Sequence, residues 1–348
     1  MSEPLRIAAL GLTHDHVWSN LRELQDVPGA RLVAAADPHE PLLERVRQEF
    51  GCPIYTDYRA LLAAEQLDAV YIFGDNAGGV ELAVAAAEKK LHLLVEKPLA
   101  ATLAGADRML AAVRRAGVRM MINWPFAWWP ALQHGIGLAR QGAIGQLWEV
   151  KYRSAHEGPR ELGCSPFFCD WLYDPQRNGA GAYMDYCCYG AALACTLLGL
   201  PSRVVGVAGR LRKEDITVDD NGVIVMSYPR AMAMAEGSWT QIGHPTAYVA
   251  AFYGTSGLLL VERGHQGRLI QATAQQPEGA PIEVPAPPGH MRTASAHFVH
   301  ALATGEEFCL LCQDRIARDA QEVLEAGLMS ANDGCEVSLP LRGYGTDS

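Results

Sequence analysis

Short apolar runs alternate with amphipathic stretches through the first third of the chain. Leu5 to Leu10 (Leu-Arg-Ile-Ala-Ala-Leu) reads as a strand, and Gly11 separates it from a helix expected over about Asp15 to Asp26. Pro28-Gly29 turns the chain into a second apolar strand, Arg31 to Ala36, with Asp37 at its tip. The pattern continues with a helix bracketed by Pro41 and Gly51, a strand at Ala69 to Phe73 and a helix from about Val80 to Lys90. An almost continuously apolar run, Leu91 to Val95, then ends abruptly in Glu96-Lys97-Pro98. Thr102 as N-cap and Gly117 as terminator delimit another helix before a strand at Arg119 to Asn123. Continuously apolar strands separated by helices predict an α/β unit with a parallel, doubly wound sheet.

The texture changes at Trp124-Pro125-Phe126-Ala127-Trp128-Trp129-Pro130, which either lines a pocket or packs two units together. Beyond a helix ending near Gly142, strands are expected at 147–154, 204–211, 222–228, 232–239, 247–254 and 258–263. Turns such as Pro229-Arg230 and Thr255-Ser256-Gly257 separate them, as in an antiparallel sheet. One helix interrupts, from about Tyr183 to Leu198, stopped by Gly199. A proline-rich segment, Pro277 to Pro288, precedes two helices near 293–303 and 315–330. The expected division is an α/β unit over 1–123 and an α+β unit, built on a mostly antiparallel open sheet, over 124–348.

Composition narrows the partners. The 348 residues are 49% hydrophobic and 20% charged, with a net charge of −10 and no Lys/Arg-rich run, which argues against nucleic acid and anionic membranes. No apolar run reaches the ~18 residues of a membrane span. Met1-Ser2-Glu3-Pro4 lacks the basic and apolar regions of a signal peptide, and nine cysteines form no evident disulfide scaffold, so a reducing cytoplasm is expected. Cys309-Leu310-Leu311-Cys312 has C-x-x-C spacing without a second pair or a His nearby in sequence, so the thiols read as packing residues and not as zinc ligands.

Candidate chemistry falls in three places. The first strand–turn–helix–strand unit suits a dinucleotide, with pyrophosphate at the helix start and the Asp37 carboxylate on a ribose. Its glycine fingerprint is incomplete: Thr13 and His16 stand where the second and third glycines of G-x-G-x-x-G would fall. Thr13, His14 and His16 could donate to the cofactor instead. A metal at His14-Asp15-His16 is not expected, because adjacent residues at a helix start point in different directions. The second place is Lys97, at the carboxyl end of a parallel strand, where open α/β sheets put ligands, although Lys-Pro is also an ordinary exit to solvent. The third is the helix start Asn178-Gly179-Ala180-Gly181-Ala182-Tyr183-Met184-Asp185, whose Asp185 shares a helix face with Tyr189. That pair reads either as a hydroxyl-orienting acid and a proton-moving phenol, with Lys97 drawing the phenol toward phenolate, or as a helix cap and a half-buried Tyr.

The order of these features resembles the Gfo/Idh/MocA oxidoreductase family over nearly the full chain. The resemblance rests on the amino-terminal turn, on Val95-Glu96-Lys97-Pro98-Leu99-Ala100, and on Gly142-Ala143-Ile144-Gly145-Gln146. It continues through Asp185, Asp219-Asp220, Tyr253-Gly254-Thr255-Ser256-Gly257 and Val337-Ser338-Leu339-Pro340. It implies an amino-terminal Rossmann domain and hydride transfer between nicotinamide and a secondary alcohol or ketone of a sugar, polyol or related ring. The implied catalytic residues are Lys97, Asp185 and Tyr189, with Tyr189 where the family's Asp-x-x-x-His motif has His. The implied cofactor contacts are Gly11, Thr13, His14, His16, Asp37, Asn76, Glu96 and Lys97. Asp37 favours NAD by repelling a 2′-phosphate, with NADP the second candidate. Trp124, His156, Arg160 and Trp171, with Asp185, are assigned to a carbohydrate-like substrate by position. Ala192 replaces a further family Asp, and Gly79 a family His after Asn76. An NAD-dependent glycosidase and a non-catalytic nucleotide-sensing regulator are the competing readings, and a homodimer or homotetramer is expected.

Overall fold

A computed structural model describes residues 3–263 and 267–341. Six strands, β1 (Leu5–Leu10), β2 (Ala30–Ala36), β3 (Ile54–Tyr55), β4 (Ala69–Ile72), β5 (His92–Glu96) and β6 (Met120–Asn123), form one sheet. Its order is β3-β2-β1-β4-β5-β6 and every pairing is parallel. The helices α1 (His16–Gln25), α2 (Glu40–Phe50), α3 (Tyr58–Ala64), α4 (Gly78–Glu88) and α5 (Leu103–Ala116) supply the crossovers. This is the doubly wound Rossmann order, whose ligand crevice opens at the carboxyl ends of the strands on either side of the β1/β4 switch. Gly11 is required there: its φ is +78°, and a Cβ would stand 2.7 Å from the Gly74 nitrogen at the end of β4.

The second sheet has nine strands in the order β14-β13-β12-β11-β7-β10-β9-β8-β15. They are β7 (Leu147–Ala155), β8 (Arg203–Gly209), β9 (Asn221–Ser227), β10 (Met232–Ser238), β11 (Tyr248–Gly254), β12 (Gly257–Glu262), β13 (Arg268–Thr273), β14 (Gln276–Ile282) and β15 (Val337–Ser338). Only β7 and β10 pair in parallel, so Ala155 and Ser238 lie side by side and both strands end at one edge. Helix α6 (Pro130–Arg140) leads in, and α7 (Pro166–Leu172), α8 (Pro175–Asn178) and α9 (Ala182–Leu198) lie between β7 and β8. The chain then runs through α10 (Ala294–Thr304) and α11 (Asp314–Asp333).

Helix α9 is buried along nearly its whole length because it is clamped between the sheet and α11. Close approach is paid in side-chain size: a Cβ on Gly190 would fall 2.5 Å from that of Ala235. Asp219 seats the helix by accepting from the Gly181 and Tyr183 N–H groups at 2.6 and 2.7 Å.

Strand β14 overlaps the stretch read from the sequence only as a proline-rich segment. Its Pro281 sits on the outermost strand, where a missing N–H costs no ladder bond. The short β3 and α3 were also not expected; two residues of strand carry too little pattern to read. No helix among the described residues is long and apolar enough to cross a membrane.

Candidate active site

Lys97 leaves β5 into a cis bond with Pro98 and is almost fully buried. Its Nζ donates to Asp185 Oδ1 at 2.5 Å and to the Asp185 carbonyl at 3.2 Å. Asp185 lies in the first turn of α9, and its Oδ2 accepts the indole N–H of Trp239 at 3.2 Å. A carboxylate held between an ammonium and an indole has one rotamer and little freedom. Burial alone would push the Lys97 ammonium down, but Asp185, then Cys188 and Glu96, outweigh it and raise its pKa.

Tyr189, one turn along α9, is packed edge-on against Trp124 and Phe126, with centroids at 5.7 and 4.9 Å. Lys97 Nζ stands 5.1 Å from its ring centroid and makes no hydrogen bond to its hydroxyl. Burial, reinforced by Cys188, Glu96 and Asp185, pushes the Tyr189 phenol well above its ordinary range. The expectation that Lys97 draws this phenol toward phenolate therefore fails: the ammonium is spent on Asp185, and desolvation dominates at the phenol.

His14 and His16 converge. Their ring centroids are 4.5 Å apart, His16 Nδ1 meets Glu96 Oε1 at 2.9 Å, and His14 Nε2 lies 3.9 Å from the same oxygen. The expectation of divergent side chains assumed helical spacing, but α1 begins only at His16 and His14 belongs to the preceding loop. The nearest donor atoms of the three residues lie within 4.8 Å of one another. His14 Nδ1 accepts the His16 N–H at 3.3 Å, which leaves its proton on Nε2. Asn123 donates to the other Glu96 oxygen at 2.6 Å. Burial, then His16 and Lys97, hold His14 well below its ordinary pKa, so it is neutral. Trp171 packs on His14 at 5.6 Å; both its indole N–H and His14 Nε2 are buried without a partner among the described residues.

A cavity of about 480 Å³ opens beside Gly11 and Thr13 and is bordered by Asp37, Tyr58, Asp75 and Arg177. Asp37 braces it: one oxygen accepts the Leu12 N–H at 2.6 Å, the other the His39 N–H at 2.8 Å. Asn76 is buried and donates to the Asn178 side chain and carbonyl at 2.8 and 3.1 Å. Arg177 bonds Asp75 at 2.9 Å, and the Ser165 N–H donates to Asp15 at 2.7 Å. Segments 165 and 177–178 thus latch the second sheet's unit onto the nucleotide loops.

The residues assigned to substrate by position are spread along the cleft. His156 follows β7, stacks edge-on against Tyr186 at 4.9 Å, and accepts the Gly158 N–H on Nδ1 at 2.7 Å. Its pKa is pushed down to about 4 by burial, so it presents a fixed Nε2–H donor at neutral pH. Trp124 walls Tyr189, as above. Arg160 lies at the rim, bonded to Asp215 at 2.5 Å and stacked over Tyr173, and is not brought to Asp185. Trp239, which donates to Asp185, and Tyr186, which packs on His156, were not singled out from the sequence. Trp239 carried one legible signal, its place at the carboxyl end of β10, the parallel partner of the strand leading to His156.

A parallel doubly wound sheet with a glycine turn against a dinucleotide-sized cleft, joined to a sheet that delivers Asp185 to Lys97, defines a nicotinamide-dependent oxidoreductase fold. Residues 9–124 match the model of the oxidoreductase family with NAD-binding Rossmann fold, and residues 137–260 that of the GFO/IDH/MocA C-terminal domain. The chain belongs to the Gfo/Idh/MocA family. It is 40% identical to D-apiose dehydrogenase of Paraburkholderia graminis over 148 residues, which span 41% of this chain and 38% of that relative. It is 28% identical over 265 residues to dTDP-3,4-didehydro-2,6-dideoxy-alpha-D-glucose 3-reductase of Streptomyces antibioticus, covering 75% of this chain and 76% of the relative. The fold matches aldose-aldose oxidoreductase from Caulobacter crescentus with a TM-score of 0.82 and 22% identity, over 97% of this chain and 100% of that one.

Proposed function

We propose that this chain is an NAD-dependent dehydrogenase or reductase acting on a secondary alcohol or ketone of a sugar, polyol or related ring. Residues 1–123 serve as the nucleotide unit and 124–348 as the substrate and assembly unit. The observation that carries the reading is the Lys97–Asp185 pair, which joins the carboxyl end of β5 to the first turn of α9 beside Tyr189.

The residues present fit the cofactor. Gly11 and Thr13 line the approach to the α1 amino terminus, Asp37 sits at the tip of β2, and Asn76 and Glu96 follow or end β4 and β5 at the carboxyl edge of the same sheet. His14 Nε2 and Trp171 Nε1, buried donors without partners, call for an acceptor from a bound molecule. NAD, when bound, supplies the hydride acceptor. Asp37, Asp57, Asp75 and Glu81 border the cavity, and Arg177 is already paired, so a 2′-phosphate would face carboxylates.

On the substrate side, Tyr189 exchanges the hydroxyl proton, Lys97 binds the same oxygen through its ammonium, and Asp185 orients the two. His156 adds a neutral donor and Trp124 an apolar wall. Lys97 and Tyr189 both keep their protons at neutral pH, so the resting site is set to donate one. Ketone reduction is favoured near neutrality, and alcohol oxidation requires higher pH.

The outer face of the second sheet supports self-association. Val205, Val207 and Met232 share that face through the register Val205–Val225–Met234 and Arg203–Ser227–Met232, and are 42, 61 and 40% exposed. A second copy covering them gives the expected homodimer or homotetramer, which a solution mass measurement on wild type and Val207→Glu tests. A screen of sugars, polyols and sugar acids with NAD and NADP, read at the nicotinamide absorbance, tests the activity.

A further inference from the structure

The second unit holds a thiol pair that the oxidoreductase site does not use. Cys309 and Cys312 frame a single 3-10 turn immediately ahead of α11, with the Cys312 N–H donating to the Cys309 carbonyl at 2.9 Å. A turn of this kind keeps its end Cα atoms within about 7 Å, inside the reach of a disulfide. Cys309 is half-buried and Cys312 is fully buried beneath it. The sequence shows no His near the C-x-x-C, but the fold brings one: His297 of α10 accepts the Cys309 N–H on Nε2 at 2.8 Å. Its Nδ1 is buried without a partner among the described residues. This setting differs from that of a thiol that only fills space.

The local chemistry separates the two sulfurs. A hydrogen bond from the Cys312 thiol holds Cys309 below its ordinary range against burial. Burial, then Cys309, pushes Cys312 well above its ordinary range. Arg119, stacked on the adjacent Phe308 at 4.4 Å, is the nearby permanent cation. One exposed-side thiolate beside one buried thiol is the division of labour of an attacking and a resolving cysteine.

We propose that Cys309 and Cys312 are a redox-active dithiol that closes to an intrachain disulfide in the presence of small-molecule disulfides such as oxidised glutathione. The Cys309 thiolate attacks one sulfur of the oxidant, forming a mixed disulfide and releasing one thiolate. Cys312 then gives up its proton and attacks the Cys309 sulfur, forming Cys309–Cys312 and expelling the second thiolate. Two electrons pass from the pair to the oxidant, which leaves as two thiols. Gln313, next to Cys312, bridges Met121 of β6, the strand that leads into Trp124, and the Trp124 indole walls Tyr189, so closure is felt at the proposed active site.

The test needs no substrate and does not depend on the enzymatic reading. Fully reduced protein is treated with oxidised glutathione across pH 5 to 8, the remaining thiols are alkylated, and peptides are analysed by mass. The expected result is a Cys309–Cys312 crosslink in the wild type, a glutathione adduct at Cys309 in Cys312→Ser, and none at residue 312 in Cys309→Ser. Ordinary thiols, with a pKa near ~8.5, lose about tenfold in rate per pH unit toward acid. Cys309 is expected to lose less rate toward acid than a free cysteine thiol does under the same conditions. Closure should also change tryptophan emission in the wild type and not in Cys312→Ser; unchanged emission would remove the link to Trp124. Absence of the crosslink in wild-type protein, or a Cys309 rate that falls toward acid as steeply as that of a free cysteine thiol, overturns the proposal.

Discussion

Lys97 Nζ and Asp185 Oδ1 are 2.5 Å apart although 88 positions separate them in the chain, and both are almost fully buried. The pair fastens the tip of a Rossmann strand to the first turn of the central helix of the second unit. Burying two charges is costly, and removing one partner leaves the other uncompensated. Lys97→Met and Asp185→Asn should each cost about 3–5 kcal/mol of stability. The double variant should lose less than the sum of the two. Denaturant unfolding of all four proteins measures the coupling, and strict additivity would mean that the pair contributes no mutual stabilisation.

The raised Lys97 pKa carries a sign. Its stabilising contribution is fully present below the ordinary lysine pKa and is lost as pH rises through the higher folded value. Unfolding midpoints of the wild type should therefore fall in strong alkali, and Lys97→Met should show a smaller loss over the same window.

Tyr189→Phe removes one hydroxyl from a packed aromatic wall and leaves the ring contacts in place. Turnover should fall about 10²–10⁴-fold, with NAD affinity unchanged within about twofold. Because the Tyr189 phenol and the Lys97 ammonium both hold their protons, wild-type alcohol oxidation should accelerate with pH from neutrality upward, while ketone reduction slows. A bell-shaped profile centred near pH 6 would instead point to an imidazole base.

His156 should titrate near pH 4, which an imidazole NMR titration reads directly. Because its folded pKa lies below that of an unfolded His, its neutral, Gly158-bonded form contributes stability above about pH 6.5 that is lost as pH falls toward 4. His156→Ala should raise the substrate KM more than it lowers kcat, and His156→Asn, which keeps a donor, should restore part of the loss.

Much of this was legible in the sequence, and what was not has local causes. Alternation of apolar strands and helices placed β1, β2, β4, β5 and β6 within a residue or two, because a strand buried on both faces has little freedom in composition. Strand β14 was obscured by its prolines, which an edge strand tolerates. Lys97, Asp185 and Tyr189 stood out through resemblance to a family motif, but the protonation of Tyr189 was misread, since desolvation depends on neighbours such as Phe126 and Trp124 that no spacing rule brings together. The His14–Glu96–His16 cluster was invisible for the same reason: it is assembled by a loop and a strand that only the fold makes adjacent.

The most direct test of the central claim is nicotinamide absorbance in a panel of sugars, sugar acids and polyols, run with wild type, Lys97→Met and Tyr189→Phe after each is shown to bind NAD. NADH formation by the wild type on at least one compound, and its loss in both variants, is the predicted result. Full turnover by Tyr189→Phe, or release of sugar from an aryl glycoside without net NADH, would contradict the account.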